Sequence, residues 1–115
     1  MVQHSLVAML EMSRKGIISI EKVIQKMCHA PADLFHIHRR GYIREGYYAD
    51  LVLIDPGKSW IVSTDNILYK CRWSPLEGQE FSHQVVSTFV NGTEVFKKEK
   101  INETFRGSEL YFENE

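Results

Sequence analysis

A continuous run of aliphatic residues at positions 51–54, Leu-Val-Leu-Ile, places the strongest constraint on how this chain can fold. The run follows Ala49-Asp50 and ends at Asp55-Pro56-Gly57, which is a strong turn signal. A strand with one solvated face alternates apolar and polar residues, whereas an uninterrupted apolar run indicates burial on both faces. Residues 49–54 are therefore predicted to form a β-strand that needs neighbours on both of its faces.

Helical periodicity dominates the first third of the chain. Apolar residues recur at helical spacing over residues 3–15, and Gly16 supplies a stop signal directly after them. Ser19 can cap a second helix, whose apolar residues follow the i, i+3, i+4, i+7, i+8 pattern. These residues are Ile20, Val23, Ile24, Met27 and Cys28. Because proline suits a first helical turn, Pro31 predicts a short third helix over residues 31–35.

Strand signals replace helical ones in the second half of the chain. Residues 60–62 are predicted to form a second strand. Residues 85–90 and 93–96 flank Asn91-Gly92, which favours a two-residue type I′ hairpin because both residues tolerate positive φ. The acidic stretch 102–115 is less patterned, but its aromatic residues predict that it packs against the rest. The chain is predicted to be α+β, with helices first and a small β unit after them.

The composition excludes several classes of protein. The chain has 115 residues, enough for one domain, and its net charge of −1 gives no attraction to nucleic acid or anionic membranes. No apolar run approaches the roughly 18 residues that span a bilayer, and no secretion signal is recognisable at the start. Cys28 and Cys71 lie far apart and form no C-x-x-C pair. Free thiols in a cytoplasmic protein are therefore predicted, without a structural zinc site.

Two motifs before and within the predicted strand carry a resemblance to a known family. Residues 41–55 read G-Y-I-R-E-G-Y-Y-A-D-L-V-L-I-D. They resemble the G-x-I-x-x-G-x-x-A-D-L-V-L-x-D stretch near the C-terminus of metal-dependent amidohydrolases. Residues 30–35 resemble the N-P-A-x-x-F/L turn that precedes this stretch, with Ala30 in place of the asparagine.

Three further motifs extend the resemblance in the family's order. Residues 73–78 are similar to the N-S-P-F-E-G element of dihydroorotases and related cyclic amidohydrolases, with Trp73 in place of the asparagine. Residues 88–96 resemble the closing T-x-V-N-G-x-x-V-x hairpin. Residues 2–6 are similar to the start of the final barrel helix in bacterial dihydroorotases.

The resemblance implies a parent enzyme several times longer than this chain, with a (β/α)₈ barrel and a small flanking β-sandwich. Its active site would lie at the C-terminal face of the barrel strands. Zinc, often as a pair bridged by a carboxylated lysine, would generate hydroxide to open the ring of dihydroorotate. An aspartate would move the proton. The reverse reaction closes the ring of N-carbamoyl-L-aspartate in pyrimidine biosynthesis. The family's metal ligands lie upstream of the motifs matched here.

The residues His36-Ile37-His38 have the same H-x-H pattern as the zinc ligands of these amidohydrolases. The family's pair ends the first barrel strand, whereas the pair here follows the turn at residues 31–35 and has no aliphatic strand before it. The remaining histidines are His4, His29 and His83. Zinc needs three or four converging ligands, and no spacing requires these residues to join. A surface loop is predicted, with a small metalloenzyme built on His36 and His38 as an alternative.

Four other residues have predicted local roles. Asp50 is predicted to accept hydrogen bonds from backbone amides of the turn before the strand. Gly41 and Gly46 are predicted to permit tight turns with positive φ. His4 is predicted to lie at the start of a helix near the barrel mouth of the parent.

The chain is thus interpreted as the C-terminal part of a dihydroorotase-like enzyme. Residues 1–40 would hold the last barrel helix and connecting helices, and residues 41–115 the C-terminal β-sandwich segment and tail. No catalytic, cofactor-binding or metal-ligating residue is assigned to the chain, so it is expected to be structural and inactive alone, and zinc belongs to the parent.

The expected partners are the missing N-terminal barrel portion and, in the parent, a small-molecule substrate. Neither nucleic acid nor a membrane is expected, and a homo-oligomer interface stays open. Besides the small metalloenzyme, two alternatives remain at this point: an independent small β-rich binding module, or the C-terminal part of an allantoinase or dihydropyrimidinase.

Overall fold

Helices precede strands in the computed structural model, which describes residues 2–113. Helix α1 spans Ser5–Arg14 and follows a 3₁₀ turn at Val2–His4. Helix α2 spans Ile20–Ile24, a π-helical turn covers Gln25–His29, and helix α3 spans Ala30–Leu34. The strands are β1 (Leu51–Asp55), β2 (Trp60–Ile61), β3 (Glu80–Phe81), β4 (Gln84–Val90), β5 (Thr93–Lys97) and β6 (Lys100–Ile101). The predicted α+β order, helices and then a sheet, is confirmed.

The predicted first helix is confirmed to within a residue or two at each end. Gly16 adopts a φ of 76°, and its N–H donates to the Ser13 carbonyl at 3.0 Å, so the helix stops where the sequence indicated. Val7 and Leu10 are buried on one face of α1. This face fixes how the helix packs on the β unit.

The second helix begins at its predicted cap but extends further than predicted. The Ser19 hydroxyl accepts a hydrogen bond from the Lys22 N–H at 3.2 Å. The helix then runs into α3 without a break, so the expected boundary before Pro31 is wrong. Pro31 has no backbone N–H to donate within a helix. The π-helical turn at Gln25–His29 lies directly before α3, so the helix is irregular where the proline enters it.

Four strands form an antiparallel sheet in the order β1-β4-β5-β6, and β2 and β3 pair separately. Asn91 and Gly92 join β4 to β5 with φ values of 49° and 81°, which confirms the predicted type I′ hairpin. Strand β1 is also confirmed. Its predicted burial on both faces is wrong for this chain, because β1 pairs only with β4 and the described residues leave Leu51, Val52 and Leu53 exposed.

The core lies where α1 meets the segments around β2 and β3. Its buried residues are Val7, Val62, Ile67 and Phe81, with the Trp60 and Tyr69 rings partly buried against them. The tail reaches back to the helical half, where Phe112 forms a β-bridge with Ile37. Among the described residues, no helix is long and apolar enough to cross a membrane.

Candidate functional site

The histidine pair lies in an exposed turn between α3 and the segment that leads to β1. His36 is exposed with a φ of 51°, and the His38 Nδ1 lies 2.7 Å from the Glu113 Oε1. His29 stacks on Tyr42 with ring centroids 4.1 Å apart, so it is not directed at this pair. Across residues 2–113, no three His, Cys, Asp or Glu side chains come together as metal ligands. The side chains described here therefore do not fit the zinc that the family resemblance implies.

His4 lies at the centre of an aromatic cluster. Its ring centroid lies 5.8 Å from that of Trp60, 6.1 Å from Tyr69 and 6.5 Å from Phe81. The side chain is 1% exposed, and neither ring nitrogen has a hydrogen-bond partner among the described residues. Burial lowers the pKa of His4 because the charged ring loses its hydration.

Glu11 forms a second polar centre, on helix α1. Its Oε1 accepts from the Arg14 Nη2 at 2.6 Å, and its Oε2 accepts from the Ser82 hydroxyl at 2.7 Å and the Ser82 N–H at 3.1 Å. The hydrogen bond from Arg14 and those from Ser82 lower the pKa of Glu11 from its usual 4.5 to about 2. This carboxylate therefore ties α1 to the connection between β3 and β4.

Gln3 holds the start of the chain against a loop 63 to 66 residues away. Its side-chain amide donates to the Asn66 carbonyl and accepts from the Leu68 N–H, both at 2.8 Å. Its backbone N–H donates to the Tyr69 hydroxyl at 2.9 Å. The Gln3 side-chain amide thus makes one donor and one acceptor hydrogen bond with the loop backbone, as a residue of a neighbouring β-strand would.

Asp50 has the structural role that the sequence indicated, with different partners. Its Oδ1 accepts from the Asn91 N–H at 2.9 Å, in the β4–β5 turn and not in the turn before β1, and its Oδ2 accepts from Arg40. Arg40 also donates to the Asn91 side chain and to the Ser108 hydroxyl. The expected partner, a backbone amide of the turn before β1, was wrong. Formation of the β4–β5 hairpin brings the Asn91 N–H, 41 positions away, within hydrogen-bond distance of Asp50.

Gly41, in the glycine-rich motif, lies against the second helical segment. A Cβ at this position would lie 2.3 Å from the Ala32 Cβ and 2.8 Å from the Cys28 carbonyl, and its φ is 83°. Gly46 also has a positive φ of 81°, but open space surrounds it. The predicted positive φ is confirmed at both glycines. The close approach at Gly41 is an additional requirement that the sequence did not reveal.

The serine-proline motif at residues 73–78 forms a compact turn beside the core. The buried Ser74 hydroxyl accepts from the Leu76 N–H at 3.1 Å, and the Gly78 N–H donates to the Val62 carbonyl at 2.8 Å. Trp73, which replaces the motif's asparagine, is exposed. The Ser74 hydroxyl closes this turn together with backbone hydrogen bonds, from the Glu77 N–H to the Ser74 carbonyl and from the Gln79 N–H to the Leu76 carbonyl.

The sequence did not single out Gln3, Glu11 or Ser82. The i, i+3 pair of Glu11 and Arg14 was a readable signal, because residues three apart are neighbours on a helix. The contact between Glu11 and Ser82 had no such signal in the sequence, because it joins positions 71 residues apart. Cys28 and Cys71 are free and exposed. These arrangements connect elements of the fold, and they do not converge on a substrate-sized polar cluster.

Known enzymes are similar to this chain in sequence and in fold. The dihydroorotase of Pyrococcus horikoshii is 32% identical over 102 residues, which are 89% of this chain and 24% of the relative. A solved D-hydantoinase superposes with a TM-score of 0.81 at 20% identity, covering 87% of this chain and 22% of that one, and shows the fold alone. The L-hydantoinase (dihydropyrimidinase) of Arthrobacter aurescens gives a TM-score of 0.70 at 30% identity, covering 77% and 20%.

The chain therefore spans about a quarter of the length of the curated relatives it matches. The amidohydrolase family model matches residues 1–95, more than half of the sequence. The chain belongs to the amidohydrolase family.

Proposed function

We propose that this chain is the C-terminal part of a cytoplasmic dihydroorotase, which interconverts N-carbamoyl-L-aspartate and dihydroorotate. Residues 1–40 would supply the last helix of a (β/α)₈ barrel and its connecting helices, and residues 41–115 part of the flanking β-sandwich. The observation that carries the proposal is the similarity to a dihydroorotase, which extends over 89% of this chain.

In that enzyme the chain would brace the barrel and would not carry the chemistry. Its best-connected polar side chains join elements distant in sequence: Gln3 to the loop at Asn66, and Glu11 to Ser82. Asp50 likewise joins the start of β1 to the β4–β5 turn. Glu11, whose carboxylate accepts hydrogen bonds from Arg14 and Ser82 and whose pKa is lowered to about 2, is held in place and would not exchange protons with a substrate near neutral pH.

The metal of the parent would be held by polypeptide outside this chain. His36 and His38 lie in an exposed turn, and His38 already has Glu113 as a partner. No step of the reaction is therefore assigned to residues 2–113.

A chimera tests this proposal. The segment of the Pyrococcus horikoshii dihydroorotase that this chain matches would be replaced by this chain, and ring closure of N-carbamoyl-L-aspartate would be assayed with added zinc. The chimera is expected to be active, and this chain alone, at the same zinc concentration, inactive. Turnover by the isolated chain that is lost in His38→Ala would contradict the proposal and favour a small metalloenzyme.

A hydantoinase or dihydropyrimidinase is the second candidate parent. The observation that favours it is the 30% identity to the solved L-hydantoinase (dihydropyrimidinase). The same replacement in that enzyme, assayed with hydantoin and dihydrouracil, would separate the candidates. Restoration of the hydantoinase alone would reject the dihydroorotase assignment while keeping the family.

A further inference from the structure

A polar cavity lies between the turn after α3 and the glycine-rich segment that leads to β1. Its volume is about 310 Å³. Its wall includes Asp33, Arg39, Arg40, Arg44, Tyr47 and Glu113. This volume lies at the lower end of the range of small-molecule sites, so the cavity can admit a small ligand or one group of a larger one.

The three arginines of the cavity differ in their partners. Arg40 donates to Asp50 and to the Asn91 side chain, and its own side chain is only 10% exposed. Among the residues that the structure describes, neither Arg39 nor Arg44 forms an ion pair with a carboxylate. A guanidinium group has five N–H donors in a fork that matches carboxylate and phosphate oxygens. Two cationic side chains on one cavity therefore have donors available for an anion.

The carboxylates of the cavity wall are engaged elsewhere. The Asp33 Oδ2 accepts from the Tyr42 hydroxyl at 2.7 Å, and the Glu113 Oε1 lies 2.7 Å from the His38 Nδ1. Because neither carboxylate neutralises Arg39 or Arg44, the wall offers more donors and positive charge than acceptors. Such a wall attracts anions.

Aromatic rings hold Arg44 in position. Its guanidinium carbon lies 4.1 Å from the ring centroid of Tyr42 and 5.7 Å from that of Tyr47. Tyr42 is itself fixed by its stack on His29. A guanidinium that lies over an aromatic face keeps N–H donors at its edge for a ligand. Because Arg44 is already ordered, binding an anion costs less side-chain entropy.

The C-terminal tail brings a negative charge to the same cavity. The His38 N–H donates to the Tyr111 carbonyl and the Glu113 N–H donates to the His36 carbonyl, both at 2.8 Å. These backbone bonds hold the Glu113 carboxylate at the cavity wall. A fixed negative charge reduces the attraction of the cavity for any other anion. Glu113 is therefore expected to limit anion affinity.

We propose that this cavity binds the phosphate group of a small molecule, with Arg39 and Arg44 as its ligands and Glu113 as the residue that limits the affinity. A phosphate group suits the cavity better than a carboxylate because it carries up to two negative charges and three acceptor oxygens, which match two unpaired guanidinium groups. The site would bind phosphate whichever amidohydrolase supplies the rest of the enzyme.

Calorimetric titration of this chain with inorganic phosphate tests the site. We expect saturable binding with a dissociation constant on the order of 1 mM, which a few charge-assisted hydrogen bonds provide. Arg39→Gln and Arg44→Gln should each weaken binding about tenfold, the effect of one such bond. Arg44→Lys keeps the charge but loses the fork, and it should also weaken binding. Arg39→Gln should melt at the native temperature, because Arg39 is exposed.

Two further variants sharpen the test. Arg72→Gln is the matched control, since Arg72 is exposed, lies outside the cavity and has a φ of 52°, the same as Arg39. It should bind phosphate as the native chain does. Glu113→Gln removes one negative charge from the cavity wall and should strengthen binding at least about threefold.

Four outcomes would contradict the proposal. Absence of saturable phosphate binding by the folded native chain would overturn the site. Equal affinities of the native chain, Arg39→Gln and Arg44→Gln would overturn the assigned ligands. Acetate that binds as tightly as phosphate at the same ionic strength would overturn the preference for phosphate. An unchanged affinity in Glu113→Gln would overturn the role of the tail.

Discussion

Helix α1 and the helical segment of residues 20–34 both carry an apolar row, but within residues 2–113 the row of α1 is buried in the core and the row of the second segment is mostly exposed. In α1, Val7 packs with Val62, Ile67 and Phe81 in the core. In the second segment Val23 is 1% exposed, whereas its neighbour Ile24 is 44% exposed. The exposed row continues to Met27.

The difference shows that helical apolar spacing alone does not determine whether a row is buried within the chain. Both rows follow helical spacing, so both were recognisable as faces that bury. Within residues 2–113, only the α1 side also has polar contacts to positions more than 60 residues away, through Gln3 in the turn before the helix and through Glu11. The α1 side is a completed core, whereas most of the α2 row has no cover within residues 2–113.

The largest expected effect comes from emptying the completed core. Phe81→Ala removes a ring that is 3% exposed and should cost about 4 kcal/mol of unfolding free energy. Phe35→Ala is the same change at the end of the second segment, where the ring is exposed, and should change stability by less than about 0.5 kcal/mol. Urea denaturation of both variants measures the contrast. Equal losses would mean that the two sides are equally packed.

A smaller effect is expected where the second segment meets the chain that leads to β1. Gly41→Ala adds a Cβ 2.3 Å from the Ala32 Cβ at a positive φ. It should cost roughly 3 kcal/mol from strain and overpacking combined. Gly46→Ala shares the positive φ but meets no atom within 4 Å, and should cost only about 1–2 kcal/mol. Thermal melts of the two variants separate crowding from backbone strain, and equal shifts would remove the close approach as a cause.

The local part of this fold could be predicted from the sequence. The Ser19 cap, the stop at Gly16 and the Asn91-Gly92 hairpin depend on residues a few positions apart, and each is present. The third helix was placed correctly to within a residue, but its separation from the second was not, because a π turn has no clear signature in apolar spacing.

Features that depend on distant or absent partners could not be predicted in the same way. The run at β1 correctly indicated a strand, but its predicted burial on both faces is not found within residues 2–113, because apolar spacing does not specify which neighbours a strand receives. Asp50 was recognised as structural, yet its amide partner in the β4–β5 turn follows from the fold and not from spacing. The burial of His4 among aromatic rings likewise arises from three segments far apart in sequence.

The hydrogen bonds of Glu11, which join α1 to Ser82, make the stability of the fold depend on pH. Folding lowers the pKa of Glu11 to about 2 from 4.5, so its stabilising contribution is complete above pH 4.5 and is lost as the pH falls towards 2. Glu11→Gln should lose about 2 kcal/mol at pH 7, with the difference from the native chain shrinking in acid. Melting temperatures from pH 7 to pH 2 test this, with the exposed Glu21→Gln as control. A difference that stays constant with pH would show that the charge of Glu11 does not stabilise the fold.

The smallest change in stability of the isolated chain is expected at the exposed row of α2, and it tests whether that row is covered in the parent enzyme. Ile24→Gln replaces an exposed apolar side chain by a good helix former, so it should change the stability of this chain by less than about 0.5 kcal/mol. In the chimera with the dihydroorotase barrel, the same change should cost about 2 kcal/mol if the row is covered there. Val23→Ala, at a buried position, should cost a similar amount in both proteins. An Ile24→Gln effect that is equally small in both would mean that the α2 row faces solvent in the parent, and that its helical spacing reflects no buried contact.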